Sequence, residues 1–118
     1  MTIRPLFAAI AVVALAGCAA DPAPNEQLRL TEQALEQARA VGASADTVAE
    51  LKLAEDKLAQ AQADMAEASY KDARTQAEQA ELDARLAEAR VLTEKSQEQL
   101  NVLNTRITRL RKQLAEAQ

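Results

Sequence analysis

The sequence predicts an all-α protein: an antiparallel helical hairpin with a short first helix, forming a short three-helix bundle with a long coiled-coil-like C-terminal overhang. Three observations carry that expectation. Residues 18–118 hold 23 alanines but only one glycine, Gly42, and one aromatic, Tyr70. Ala, Leu, Glu, Gln, Arg and Lys dominate the rest, and all favour helix. Apolar residues recur at alternating steps of three and four, the period of a helix seam.

The chain opens with Arg4, an apolar run from Leu6 to Leu15, and then small residues. That is the layout of an export signal, and a run of about ten residues is half of what a membrane span needs. The residues Leu15, Ala16, Gly17 and Cys18 resemble a bacterial lipobox. The resemblance implies cleavage before Cys18, so residues 1–17 form a lipoprotein signal peptide. It also implies that Cys18, the only cysteine, is acylated with palmitate-type chains that hold the protein on a lipid bilayer. Several acyl chains on one residue anchor far better than one. A lipidated lone cysteine leaves no thiol for a disulfide. In Gram-negative lipoproteins an Asp directly after the cysteine resembles an inner-membrane retention signal. Ala19 stands there instead, which implies the outer membrane, facing the periplasm.

Residues 18–25 form a tether with Pro22 and Pro24, extended over roughly 20 Å. The helical domain covers residues 26–118. Its first helix, about residues 26–41, is expected to start at an Asn25 N-cap and to end at Gly42 as a left-handed C-cap. Leu28, Ala34, Leu35, Ala38 and Val41 mark its apolar face.

The second helix is expected over about residues 47–68, opened by a capping box at Thr47 and Glu50. Its seam is Leu51, Ala54, Leu58, Ala61 and Met65. The pattern breaks at Ala68-Ser69-Tyr70, and Ser69 and Asp72 have capping-box spacing at the start of a third helix, about residues 70–117. That helix presents Ala73, Ala77, Ala80, Ala84, Ala87 and Val91. The two seams mirror each other about Ser69: Met65 opposite Ala73, Ala61 opposite Ala77, Leu58 opposite Ala80, Ala54 opposite Ala84, Leu51 opposite Ala87. Each pair of residue numbers adds to 138, as a hairpin folding at residue 69 requires.

A second heptad stripe runs through Leu82, Leu86, Ala89, Thr93, Ser96, Leu100, Leu103, Ile107, Leu110 and Leu114. The second helix covers the third only to about Val91. The last five of these residues, Leu100, Leu103, Ile107, Leu110 and Leu114, are therefore read as a seam for a partner: a further copy of the chain or another envelope protein. With the first helix antiparallel to the second, the anchor lies at the Ser69 end and the overhang points away from the membrane.

Charge is divided along the chain. Residues 45–94 carry 12 acidic and 6 basic side chains, and residues 95–118 carry 5 basic and 2 acidic ones. The acidic body, with the expected envelope location, argues against nucleic acid as a partner. Arg106, Arg109, Arg111 and Lys112 form a basic patch, read either as flanks of the seam or as a contact for an anionic polymer or lipid headgroup. Glu67/Lys71 and Glu81/Arg85 have i,i+4 spacing, and Lys57 is placed to pair with Asp83 across the hairpin. Glu94 and Glu98 read as a solvated face rather than a cation site. With no histidine, no Gly-rich phosphate loop and no serine beside a base, the sequence predicts neither enzyme activity nor a metal or cofactor.

The run from Leu51 through Ala54, Lys57, Leu58 and Ala61, with Tyr70, Ala73, Arg74, Ala77-Glu78-Gln79-Ala80, Asp83-Ala84 and Leu86-Ala87, and with Val41-Gly42-Ala43 ahead of it, resembles a family of small Gram-negative envelope proteins of unknown function. Its members are alanine-rich lipoproteins, and similar segments occur fused ahead of OmpA-like peptidoglycan-binding domains. The resemblance covers about residues 28–95. A proline common before the second helix is absent, and Ala68 replaces a glycine usual two residues before the turn tyrosine. No OmpA-like domain follows Gln118, so wall binding through one is not implied. The major alanine-rich outer-membrane lipoprotein resembles this chain in anchor and heptads but is joined to peptidoglycan through a terminal lysine, and Gln118 is not lysine. The resulting expectation is a lipid-anchored, non-enzymatic periplasmic scaffold, spacer or interaction module. A non-covalent cell-wall tether, or an accessory hairpin of an export or efflux machine, stands as the alternative.

Overall fold

The computed structural model describes residues 21–118, so the lipobox and Cys18 lie outside the described residues. Three helices follow in order: α1 (Asn25–Ala40), α2 (Ala49–Ala66) and α3 (Tyr70–Glu116). The last is 47 residues long, about 70 Å at 1.5 Å per residue. No glycine or proline interrupts it.

The hairpin register is as the sequence predicts. Leu51, Ala54 and Ala61 of α2 are buried, as are all six seam residues of α3 from Ala73 to Val91. Leu58 and Met65 are half-buried. Two ion pairs one heptad apart fix the same alignment: Lys57 Nζ lies 2.6 Å from Asp83 Oδ2, and Arg90 Nη1 lies 2.6 Å from Glu50 Oε1. Alanine on α3 lets the backbones approach closely while the leucines of α2 fill the seam. Fully burying Leu51 contributes about 2 kcal/mol.

α1 packs antiparallel to α2. Arg39 reaches Glu55 at 2.8 Å, and Gln62 reaches Glu32 at 3.5 Å. At the other end the Arg74 guanidinium is 3.4 Å from the Pro22 carbonyl. The first described residues therefore sit beside the α2–α3 turn.

Both turns close with the same helix-ending motif. Gly42 (φ 101°) follows α1, with its N–H bonded to Arg39 O (2.9 Å) and the Ala43 N–H bonded to Ala38 O (3.0 Å). Ala68 (φ 57°) follows α2, with its N–H on Met65 O (3.1 Å) and the Ser69 N–H on Asp64 O (2.8 Å). This is the Schellman pairing, which satisfies carbonyls left open at a helix end. Glycine suits the left-handed position of the first turn. Alanine occupies it in the second and carries the Cβ clash that glycine avoids.

The helix starts depart from expectation. Pro24, not Asn25, precedes α1, and no side chain caps it. Thr47 does not cap α2, which begins at Ala49 after an extended, buried Val48. The Thr47 hydroxyl is held instead by Ser44, 2.9 Å from its Oγ, and the Val48 N–H bonds to Ser44 O at 2.8 Å. Burying Val48 in the core demands extended backbone there, which moves the helix start two residues on. Ser69 precedes α3 but makes no side-chain cap bond. Glu67 lies beyond the end of α2 and Lys71 within α3, so their i,i+4 spacing crosses a turn and does not describe one helix face.

Candidate functional site: the bare half of the long helix

α3 changes character after Val91. Residues 73, 77, 80, 84 and 87 are completely buried and Val91 is 7 % exposed, whereas every residue from 92 to 118 is exposed. The junction is marked by Lys95. Its ammonium donates to Val41 O at 2.7 Å and lies 3.5 Å from the point where a Gly42 side chain would begin. A cation over the carbonyl end of α1 is favoured by that helix's dipole. Lys95 is the last side chain that ties α3 to the bundle.

The predicted seam lies on this bare half. Leu100 and Leu103 are each 53 % exposed, Ile107 38 %, Leu110 58 % and Leu114 67 %. The stripe does not begin there. Leu82 and Leu86, alongside the bundle, are also exposed, so the same spacing continues along the outer face of α3, through Ala89, Thr93 and Ser96. Its residues stand about half a helix turn from the buried alanines, on the side away from α1 and α2.

Arg106, Arg109, Arg111 and Lys112 are exposed on the same segment, and Lys112 is 3.8 Å from Glu116. With a and d positions at Ile107 and Leu110, Arg106 and Arg111 flank the seam, while Arg109 and Lys112 point away from it. Residues 99–115 contain no acidic side chain.

Inside the bundle the polar groups serve alignment. Glu81 accepts from the Gln27 amide at 2.7 Å and pairs with Arg85 at 2.6 Å. These bonds, the amide first and then the guanidinium, hold its carboxyl below the usual range. Glu50 is lowered by its own backbone N–H and by Arg90. Thr31 is fully buried, its hydroxyl 2.8 Å from Ala77 O and 2.9 Å from Gln27 O. The sequence reading missed it because a threonine among glutamines and glutamates does not announce a core. Its spacing of three and four from Ala34 and Leu35 was the available signal.

Tyr70 is half-buried and lines a shallow depression at the turn with Asp21, Ser69 and Asp72. Glu94 lies 3.6 Å from Arg90, as a solvated pair. Among the described residues no three His, Cys, Asp or Glu side chains come together as metal ligands, and no helix is long and apolar enough to cross a membrane.

These features define an elongated, all-helical protein with a small alanine-packed bundle and a projecting helix. The domain of unknown function DUF4398 matches residues 26–103, and the chain belongs to that family. The match ends at Leu103, within the bare half of α3. The chain is similar to a DUF4398 family protein from Pseudomonas aeruginosa PAO1 whose crystal structure is known: 67 % identity, covering 82 % of this chain and 100 % of that one, with a TM-score of 0.78. No curated protein matches the chain.

Proposed function

We propose that the protein is a non-enzymatic helical interaction module of the cell envelope, acylated at Cys18 and held on the periplasmic face of the outer membrane. The observation that carries the interaction role is the contrast along α3. One helix has a buried heptad seam that builds the bundle and a second, uncovered seam that extends beyond it. An apolar stripe of that length on a rigid helix is the form of surface that binds another helix. The anchoring half of the reading rests on the lipobox-like Leu15-Ala16-Gly17-Cys18. Asp21 lies beside the α2–α3 turn, so an anchor at Cys18 would be tethered at that end of the bundle.

Growth with a clickable palmitate analogue, followed by membrane fractionation, tests the anchor. The wild-type chain should carry the label and sediment with outer membranes, and Cys18→Ala should abolish both. An unlabelled, freely soluble wild-type chain would overturn the localisation and leave the helix-binding surface to be judged by itself.

A further inference from the structure

The bare stripe has a definite geometry, which narrows what covers it. From Leu82 to Leu114 the steps alternate four and three without a break, through nearly five heptads of uninterrupted helix. In this register Leu86, Leu100, Ile107 and Leu114 are a positions, and Leu82, Leu103 and Leu110 are d positions.

Charge decides how a second helix lies on it. Residues 99–115 carry four cations and no anion. Pairing two copies in parallel and in register sets these four cations against four cations, with Arg106 at a g position beside Arg111 at the following e position. Reversing one copy about a two-fold axis level with residue 98 sets residues 99–115 against residues 81–97 of the other. That segment contains Glu81, Asp83, Glu88 and Glu94 with Arg85, Arg90 and Lys95, a net charge of −1. Arg111 then falls beside Asp83 of the second copy, the carboxylate that Lys57 of that copy also holds, and Gln97 and Gln99 each meet their own equivalents across the axis. No flanking position of one α3 meets a like charge at the flanking position it faces on the other.

The apolar layers also match in this reversed register. Leu114 covers Leu82, and Leu110 covers Leu86. Leu103 covers Thr93, so the polar middle of each stripe lies under leucine of the other. Leu82 and Leu86 are 66 % and 54 % exposed on the side of α3 away from α1 and α2, so the bundle leaves room for the incoming helix. Overlap of about 50 Å follows from 33 residues at 1.5 Å.

We infer that the chain self-associates as an antiparallel dimer, the overhang of each copy lying along the outer face of α3 of the other. This deepens the interaction-module reading by naming the partner as a second copy. It also changes the orientation expected from the sequence. The two Ser69 turns come to opposite ends of the dimer, about 87 Å apart from twice 29 residues at 1.5 Å, so a doubly anchored rod lies along a membrane or joins two, and does not stand away from one.

The test is a distance in solution, independent of lipidation. Protein with Cys18→Ser and a single spin label at Lys112→Cys, on the outward side of the helix, should give a label separation of about 42 Å, from twice 14 residues at 1.5 Å. A parallel pair would give under about 25 Å, since helix axes lie 8–10 Å apart, and would overturn the proposal. A monomer mass with no dipolar coupling at 100 µM would overturn it too. The double variant Leu103→Asp with Ile107→Asp should abolish the 42 Å peak while far-UV circular dichroism stays within about a tenth, because both side chains are exposed in the single chain. Palmitate labelling at Cys18 reports the anchor separately, so either reading can fail without the other.

Discussion

Residues 70–91 and 92–116 belong to one helix, yet they are held by different forces. The first half presents alanines that vanish into the bundle. The second presents leucines that stay in water. Side-chain size runs opposite to burial: the smaller residues are inside because close approach of two backbones needs them there, and the larger ones meet no facing seam among the described residues. Apolar content alone would have placed the core in the wrong half. What separates the halves is whether a complementary seam exists within the same chain, and α2 supplies one only as far as Leu51 and Val48.

The largest effect should come from a charge placed in the packed half. Ala80→Asp puts a carboxylate where no water reaches and no cation waits, and should lower unfolding free energy by about 3 kcal/mol or more. Leu103→Asp, the same chemistry on the bare half, should change it by less than about 0.5 kcal/mol at concentrations where the chain is monomeric. Urea unfolding of the two variants side by side measures the contrast, and equal losses would mean that the bare half is covered within the chain. A smaller effect is expected at the turn that starts α3. Ala68→Gly relieves the left-handed alanine and should stabilise by about 0.5–1 kcal/mol, a rise in Tm of roughly 4 °C. No rise would mean that the turn is not held in its Schellman geometry.

The smallest is a pH effect confined to the bundle. Glu81 titrates below its ordinary value in the folded chain. Its contribution is therefore complete above the unfolded pKa of about 4.3 and is lost as pH falls through the lower folded value. Glu81→Gln should flatten the acid limb of a stability–pH curve by a few tenths of a kcal/mol. A steeper limb would give the opposite sign and exclude this origin.

The hairpin was legible because two heptad seams mirrored each other about one break, and a mirror has one solution. The stripe beyond Val91 was legible for the same reason, as a seam without a mirror. Helix starts were not. Thr47 and Glu50 have the spacing of a capping box, but a buried Val48 outweighs a local hydrogen bond. Thr31 and the Glu50–Arg90 pair depend on where α1 and α2 dock, which no local pattern states. The basic patch could be named from sequence, and its division into Arg106 and Arg111 flanking the seam, with Arg109 and Lys112 outside it, follows from the same heptad register.

Lys95 gives the molecule an unusual vulnerability. Its ammonium on the Val41 carbonyl is the final tie between bundle and projecting helix, and it lies in the stretch where the helix begins to run alone. Any sideways force on the distal half acts with a lever arm of some 20 residues, about 30 Å. In the single chain, bending and protease access should therefore concentrate just past this lysine, which makes it the fulcrum of the rod.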